Sequence, residues 1–317
     1  MKPLRVLLVH RDQQHRWERI DGQFAYEVPE FAWEHRTVDK VFTLDVNDCD
    51  GYDVVWWDEG KHRLGPHFQP RRGAGRRRPV AYYCLYPSLA GHMRTSRQKR
   101  ARDDADLVLL DHDRLDLWRD VGVPAWRCAY SVDERRYRPL EKDIDVGFYC
   151  VWNYSPERPA LNAWLEAFCE RKGYRFWSNR GLVVDDYAEL LGRTKVVLHL
   201  NRTPDTRPPR IFDVSAAGGV LVSNPMPPVE GENWRHAVHY WKISRPGPKA
   251  EVGNVAFREM AYTDEDCAEI AFALEMLLDG GRWEPMAREA RKYVLSHHTW
   301  AHRARWLRHV FRKALGL

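Results

Sequence analysis

The feature that most constrains this fold is the regular alternation of short apolar runs with longer amphipathic stretches. An apolar run of about five residues has the length of a buried strand, whereas a helix needs about ten residues or more. In the first half of the sequence, strands are predicted at 4–9, 53–57, 79–85 and 105–110, and helices at 94–104 and 114–121. Strands that alternate with helices form parallel sheets covered by helices on both faces. The sequence therefore predicts an α/β fold.

The same alternation starts again after a polar linker at 138–142. Strands are predicted at 144–151, 174–177, 195–200 and 220–222, and helices at 159–172, 185–193, 209–217, 264–279, 283–297 and 300–314. We therefore predict two Rossmann-like domains, at 1–140 and 141–299, and a C-terminal helix within 300–317 that could pack back on the first domain. In such sheets, ligands bind beyond the carboxyl ends of the strands.

The composition is that of a globular protein without a membrane span. The chain has 317 residues, 44% of them hydrophobic, which is enough for two domains with proper cores. The apolar runs are far too short to cross a bilayer, and the first one is expected to be a buried strand and not a signal peptide. The six cysteines form no CxxC pair and are expected to be reduced core residues. The expected location is the cytoplasm of a bacterium or of a virus-infected cell.

A strongly basic segment lies inside the predicted first domain, at 60–102. It contains no Asp or Glu and twelve Lys or Arg residues, whereas the net charge of the whole chain is only +5. Such a segment indicates contact with a polyanion, and the alternative is that it is solvated surface. The candidate nucleic-acid contacts are Arg71, Arg72, Arg76, Arg77, Arg78, Arg97, Lys99 and Arg100.

The stretch 202–224 carries the densest group of candidate ligand contacts. It starts as a polar loop, continues as a helix and ends at Gly218-Gly219, where the backbone can turn tightly and approach a ligand. Arg210 suits a phosphate, because its guanidinium offers a planar fork of donors. Asp205 and Asp213 flank Arg210 and could hold the hydroxyls of a sugar or a ribose. The stretch predicts a site for a phosphorylated sugar or nucleotide, and the alternative for Asp213 is a plain ion pair on the helix surface.

Several segments resemble, in order, the motifs of the CgeB-like glycosyltransferases, spore maturation proteins related to retaining glycosyltransferase family 4. The segments are Ser131-Val-Asp with Tyr137-Arg-Pro, Asp145-Val-Gly-Phe, Lys195-Val-Val-Leu-His-Leu-Asn, Arg210-Ile-Phe-Asp with Ala216-Ala-Gly-Gly, and His298-Thr-Trp-Ala-His-Arg. The spacing of Asp205 and Asp213 resembles that of two glutamates in the family. The resemblance covers roughly residues 100–310.

The resemblance implies a GT-B fold, in which two Rossmann-like domains face a central cleft and the second domain binds a nucleotide-sugar donor. It implies that Asp213 binds the ribose of the donor and that Asp205 lies near the transferred sugar. Arg210 is the candidate catalytic partner of the diphosphate, and fixed cations can stabilise this leaving group without a metal ion. The other candidate donor contacts are Asn153, Arg158, Lys195, His199, Asn201, Gly218 and Gly219.

Polar residues also follow the predicted strands of the first domain, where one of them could orient or deprotonate an acceptor hydroxyl. This group consists of Arg11, Asp12, Asp58, Glu59, His92, Asp111 and His112. The sequence does not discriminate among its members. We select Glu59 and His92 as the candidate catalytic residues of this domain.

Together these features predict a glycosyltransferase that moves a sugar from a UDP-, GDP- or ADP-sugar to a hydroxyl group without a metal ion. The resemblance implies that the enzyme retains the anomeric configuration of the sugar. The basic segment favours a polyanionic acceptor, and a hydroxylated base in DNA, as in viral DNA modification, is the leading hypothesis. One alternative is transfer to a protein or a cell-surface glycan. Another is a non-catalytic nucleic-acid-binding protein that keeps the GT-B scaffold.

Overall fold

A computed structural model describes residues 2–11, 30–38, 51–58, 79–84, 98–99, 101–103, 105–110, 115–150, 157–180, 186–200, 209–226, 233–244 and 262–317. The chain divides into two compact units. The first consists of Met1–Tyr130 together with Trp300–Leu317, and the second consists of Ser131–Thr299. The chain thus enters the second unit about ten residues before the predicted boundary, and the C-terminal helix belongs to the first unit.

The described residues form eleven strands. They are β1 (Leu4–Arg11), β2 (Phe31–Val38), β3 (Val54–Asp58), β4 (Val80–Cys84), β5 (Leu107–Leu110), β6 (Ala125–Arg127), β7 (Ile144–Phe148), β8 (Phe176–Ser178), β9 (Thr194–Leu198), β10 (Val220–Ser223) and β11 (Tyr240–Lys242).

Six α-helices have bounds within the described residues: α1 (Glu157–Lys172), α2 (Tyr187–Arg193), α3 (Arg210–Ala216), α4 (Asp264–Leu278), α5 (Trp283–His297) and α6 (Trp300–Leu315). Residues 98–99 and 101–103 also have helical backbone. A 3₁₀ helix at Leu115–Val121 precedes β6. In the part of the chain that the structure describes, no helix is both long and apolar enough to cross a membrane.

The first unit contains a six-stranded parallel sheet in the order β2-β1-β3-β4-β5-β6. Helix α6 contributes to its core through one face, whose buried residues recur at helical spacing. The ring of Phe311 in α6 meets Phe31 of β2 and Trp56 of β3 edge-on, with ring centroids 6.0 Å and 6.1 Å away. Arg308 also binds the backbone carbonyl of Lys2 at 2.7 Å. The helix that follows the second unit in the chain is therefore part of the first unit's core.

The second unit contains a five-stranded parallel sheet in the order β11-β10-β9-β7-β8. From the interior strand β7 the chain first adds β8 on one side and then crosses to β9 on the other. The strand order therefore reverses between β7 and β9. In open parallel sheets, the crevice at such a switch point, beyond the carboxyl ends of the strands, is where ligands bind. The second unit thus offers one favoured edge for a binding site.

The central strands of both sheets confirm the sequence predictions, and the missed strands lie at sheet edges. Strands β2, β6 and β11 were not predicted, and each is the outermost strand of its sheet. In β2 the alternate residues Ala32 and Glu34 are exposed, and the other two strands have only three residues each. Edge strands bury less apolar surface, so their hydrophobic pattern in the sequence is weaker.

Candidate functional site

The side chain of Arg210 lies at the switch point of the second sheet. Arg210 is the first residue of α3, the helix that follows β9. Its Nη1 donates to the carbonyl oxygen of Tyr149, just after β7, and to Nδ1 of His199, just after β9, at 2.9 Å. Its Nε donates to the hydroxyl of Tyr187, the first residue of α2, at 2.7 Å. The guanidinium is thus fixed between the carboxyl ends of the two strands that define the switch.

These contacts leave part of the guanidinium available to a ligand. Arginine has five N–H donors, and those on Nε and Nη1 of Arg210 are engaged. Nη2 has no hydrogen-bond partner among the described residues. Because Nδ1 of His199 accepts from Arg210, that imidazole is neutral and carries its proton on Nε2. The site therefore presents a fixed positive charge with a free edge of donors.

Asp213 lies one helical turn after Arg210 and is buried, with 6% of its surface exposed. Its Oδ1 has no hydrogen-bond partner within the described part of the chain. Burial raises the pKa of this carboxyl to about 7, although the charges of Arg210 and Arg136 act in the opposite direction. Buried polar atoms are nearly always hydrogen-bonded in native proteins, so an unpaired one needs an explanation. A ligand that donates hydroxyl groups would supply the missing partner.

The ring of Tyr187 lies beside the Arg210 guanidinium, and two further tyrosine rings pack against Tyr187. The Tyr187 ring lies 5.5 Å from the guanidinium carbon and stands nearly perpendicular to the rings of Tyr137 and Tyr149. Burial raises the pKa of Tyr187 to about 12, so its hydroxyl is neutral and accepts the bond from Nε. The Tyr149 hydroxyl is bonded to Oγ1 of Thr194 at 2.6 Å. No sequence pattern identifies Tyr149 and Tyr187 as neighbours of Arg210, because only the fold brings them together.

Two further predicted residues lie at the same edge of the sheet. Arg158 is buried in the first turn of α1, the helix that follows β7. His199 follows β9 directly and contacts Arg210 as described above. The amino end of a sixteen-residue helix favours negative charge, so a helix that starts beside Arg158 adds to the positive potential of this edge.

Three predicted donor contacts lie at the opposite edge of the sheet, at the amino ends of the strands. Lys195 lies at the amino end of β9, where its Nζ donates a hydrogen bond to Oδ1 of Asp145 at 2.6 Å. Gly219 immediately precedes β10, and a Cβ there would lie 3.1 Å from the carbonyl oxygen of Thr194. Gly218 has a φ of +71°, and a Cβ there would lie 2.9 Å from Pro139. Lys195 is engaged in an ion pair, and Gly218 and Gly219 form a tight turn. All three lie at the amino ends of the strands, away from the edge where ligands bind.

The remaining predicted site residues fall, with one exception, outside the described residues. Lys99 is described, and it is exposed on helical backbone. The residues outside are Glu59, Arg71, Arg72, Arg76, Arg77, Arg78, His92, Arg97, Arg100, Asn153, Asn201 and Asp205.

Residues 158–308 match a family model described as glycosyl transferase-like. The matched range starts at Arg158 and covers the rest of the second unit. No curated protein matches the sequence.

Three solved structures are similar to nearly the whole chain. HepE from Anabaena, crystallised with UDP and glucose, has 11% sequence identity and a TM-score of 0.60 over 98% of this chain and 100% of HepE. A glycosyltransferase from Rickettsia africae has 9% identity and a TM-score of 0.61 over 99% of each chain. Sucrose-phosphate synthase from Thermosynechococcus elongatus has 9% identity and a TM-score of 0.50 over 99% of each chain. The chain therefore has the α/β fold of the GT-B glycosyltransferases, as its sequence predicted.

Proposed function

We propose that this protein is a glycosyltransferase whose second unit binds a nucleotide-sugar donor at the carboxyl edge of its sheet. The proposal rests on the position of Arg210 and Asp213, one helical turn apart, at the switch point of the sheet. Within the described part of the chain, Nη2 of Arg210 has no hydrogen-bond partner, and Oδ1 of Asp213 is buried without one. One molecule that has both a phosphate and hydroxyl groups would satisfy both residues. A nucleotide sugar is such a molecule.

The proposed donor contacts follow from this arrangement. The diphosphate would bind Nη2 of Arg210, with Arg158 and the amino end of α1 on the same sheet edge. The ribose hydroxyls would donate to Asp213, which is also the role that the CgeB-like resemblance implies. HepE was crystallised with UDP, so a UDP-sugar is the first donor to test, with GDP- and ADP-sugars next. Asp205 is proposed to lie near the transferred sugar.

The proposed chemistry needs no metal ion. As the bond between the sugar and the diphosphate breaks, negative charge develops on the leaving group, and the fixed guanidinium of Arg210 stabilises it. We propose retention of the anomeric configuration, on the resemblance to retaining glycosyltransferase family 4. Donor turnover is therefore expected to continue in EDTA. A complete loss that Mg²⁺ or Mn²⁺ restores would contradict this mechanism.

We propose a hydroxylated base in DNA as the acceptor, with Glu59 or His92 as the residue that acts on its hydroxyl. The support is the basic segment at 60–102, which carries twelve cations and no acids. Such a segment suits the phosphate backbone of a nucleic acid. On this proposal the enzyme acts in the cytoplasm, where it meets both DNA and nucleotide sugars. The alternatives are transfer to a protein or a glycan, and a non-catalytic DNA-binding protein.

The first experiment measures release of free nucleotide from UDP-, GDP- and ADP-sugars by the purified protein, together with the thermal shift that each causes. One donor is expected to raise the melting temperature and to be hydrolysed slowly in the absence of acceptor. If no nucleotide sugar binds, the donor-site proposal is wrong. If a donor binds without any turnover, the non-catalytic alternative gains support.

The acceptor is tested by the salt dependence of DNA binding. Each phosphate that a cation neutralises on a duplex contributes about −0.9 to the slope of log affinity against log salt, so four or five contacts give a slope of about −4. Replacing Arg76, Arg77 and Arg78 together with Ser is expected to flatten the slope by up to about 3 units. The same replacement should leave nucleotide-sugar hydrolysis unchanged. Weak, salt-independent binding would instead favour a protein or glycan acceptor.

A further inference from the structure

The side-chain amine of Lys142 lies among three backbone carbonyls at the amino edge of the second sheet, and burial lowers its pKa to about 7. Its Nζ donates to the carbonyl oxygens of Ala217 at 2.8 Å, Thr194 at 2.9 Å and Leu191 at 3.4 Å. Ala217 is the C-cap of α3, Leu191 lies in the last turn of α2, and Thr194 is the first residue of β9. Lys142 therefore holds the carboxyl ends of two helices against the start of a strand.

The other ends of the same two helices meet at the candidate site. Helix α2 begins with Tyr187 and α3 begins with Arg210, and these two residues share the 2.7 Å bond from Nε to the hydroxyl. Each helix has seven residues and is therefore about 10 Å long. A shift or tilt of either helix at the Lys142 end would move its first residue at the ligand edge.

A second route connects Lys142 to Arg210 through β9. The carbonyl of Thr194 accepts from Lys142, while its Oγ1 is bonded to the Tyr149 hydroxyl at 2.6 Å and donates to the carbonyl of Leu190 at 2.6 Å. The Tyr149 carbonyl in turn accepts from Nη1 of Arg210. Two of the three residues that fix the guanidinium, Tyr187 and Tyr149, are thus linked to Lys142.

We propose that Lys142 is a positioning residue that sets the place of Arg210, although it lies at the opposite edge of the sheet. The proposal deepens the proposed function and rests on it for its effect on donor turnover. The carboxyl end of α3 has a second cation, because Nε of Arg291 donates to the carbonyl of Ala216 at 3.1 Å. Lys142 differs from Arg291 in that it joins α2, α3 and β9 at one atom. Loss of the Lys142 amine therefore releases α2 and β9, which Arg291 does not contact through this bond.

The kinetic test compares Lys142→Met with Lys142→Arg and with the control Lys172→Met. The Met variant keeps the apolar stem and removes the donors, the Arg variant keeps a charge with several donors, and Lys172 pairs with Glu275 on the surface. Lys142→Met is expected to lower kcat/KM for the donor by about tenfold. Lys142→Arg should recover much of the loss, and the control should match the wild type.

A double-mutant cycle with Arg210→Ala shows whether Lys142 acts through Arg210. In the Arg210→Ala background, Lys142→Met is expected to have little further effect on kcat/KM, because the group that it positions is absent. Full additivity would overturn the proposal, as would wild-type kcat/KM in a folded Lys142→Met variant. If that variant does not fold, Thr194→Val breaks the branch through Tyr149. It should lower kcat/KM by about threefold with the same non-additivity.

A measurement that does not depend on turnover separates this proposal from the proposed function. The Nε–H resonance of Arg210, identified by its loss in Arg210→Ala, reports the bond to Tyr187. Its exchange with solvent is expected to be at least about tenfold faster in Lys142→Met than in the wild type or in Lys172→Met. Equal exchange rates would overturn the positioning role. An absence of donor turnover in the wild type, with the exchange effect intact, would overturn only the proposed function.

Discussion

The two edges of the second unit's sheet use the same kinds of charged residue in opposite ways. At the amino edge, Lys195 is paired with Asp145 and Arg193 with Asp143, while Lys142 is surrounded by backbone carbonyls. At the carboxyl edge, Nη2 of Arg210 and Oδ1 of Asp213 have no hydrogen-bond partner among the residues that the structure describes. Paired charges stabilise the fold and leave no capacity for a ligand. The charged residues of the two edges therefore differ in their hydrogen bonding. Those of the proposed site have donor and acceptor groups that a ligand could still bind.

The largest effect is expected from Arg210→Ala. Loss of a charge-assisted contact that strengthens in the transition state costs about 3 kcal/mol, or about a hundredfold in kcat/KM. The control is Arg171→Ala, which removes an exposed arginine from the last turn of α1. Steady-state kinetics of donor hydrolysis compare the two. Near-normal activity in a folded Arg210→Ala variant would show that the donor does not bind through Arg210 at the carboxyl edge of the sheet.

The buried carboxyl of Asp213 should make stability depend on pH. Because its pKa is raised to about 7 from 3.8, the ligand-free folded state retains a proton that the unfolded state releases between these values. Its contribution to stability therefore falls as the pH rises from about 4 to about 7. Relative to the wild type, Asp213→Asn should gain about 2–3 kcal/mol of unfolding free energy over this range. Urea unfolding at pH 5 and pH 8 measures the difference in unfolding free energy between Asp213→Asn and the wild type. The same difference at both pH values would contradict the raised pKa of Asp213.

Asp213→Ala is expected to raise the donor KM by about tenfold, because two hydrogen bonds to ribose hydroxyls are lost. Since those contacts are similar in the ground and transition states, kcat should change by less than about threefold. A variant with lowered kcat and unchanged KM would place Asp213 at the transferred sugar instead.

The smallest effect on activity is expected at the amino edge. Lys195→Met removes one partner of Asp145, which keeps its contacts with Arg175, so the free energy of unfolding should fall by about 1 kcal/mol. The kinetic constants for the donor should stay within about twofold of the wild type, because Lys195 lies away from the ligand edge. A large loss of kcat/KM at unchanged stability would restore Lys195 as a donor contact.

The sequence was sufficient to predict the central strands, the helices of the second unit and the position of Arg210. These features depend on local periodicity and on the chemistry of single residues. The partners of Arg210 depend on topology, because Tyr149 and Tyr187 are 61 and 23 residues away in the chain. No local pattern in the sequence pairs residues at such distances.

The position of Lys195 and Gly219 at the amino edge could be predicted from the sequence, because it depends only on the order of the predicted strands. Lys195 was predicted as the first residue of its strand, and Gly219 immediately precedes the next one. In a parallel sheet all strands start at the same edge, and ligands bind at the other. The direction of each strand therefore decides which of its ends can reach a ligand. The residue types of Lys195 and Gly219 favoured a phosphate contact, whereas the direction of their strands places both residues at the amino edge of the sheet.

The place of α6 in the first unit has a consequence for how the chain folds during synthesis. Phe31 and Trp56 are made early, yet their aromatic neighbour Phe311 is made only after the entire second unit. Domains generally fold in the order in which they leave the ribosome. Here the second unit can fold first, while the first unit waits for α6 to complete its core. The core of the second unit can therefore be completed before that of the first, although the first unit begins earlier in the chain.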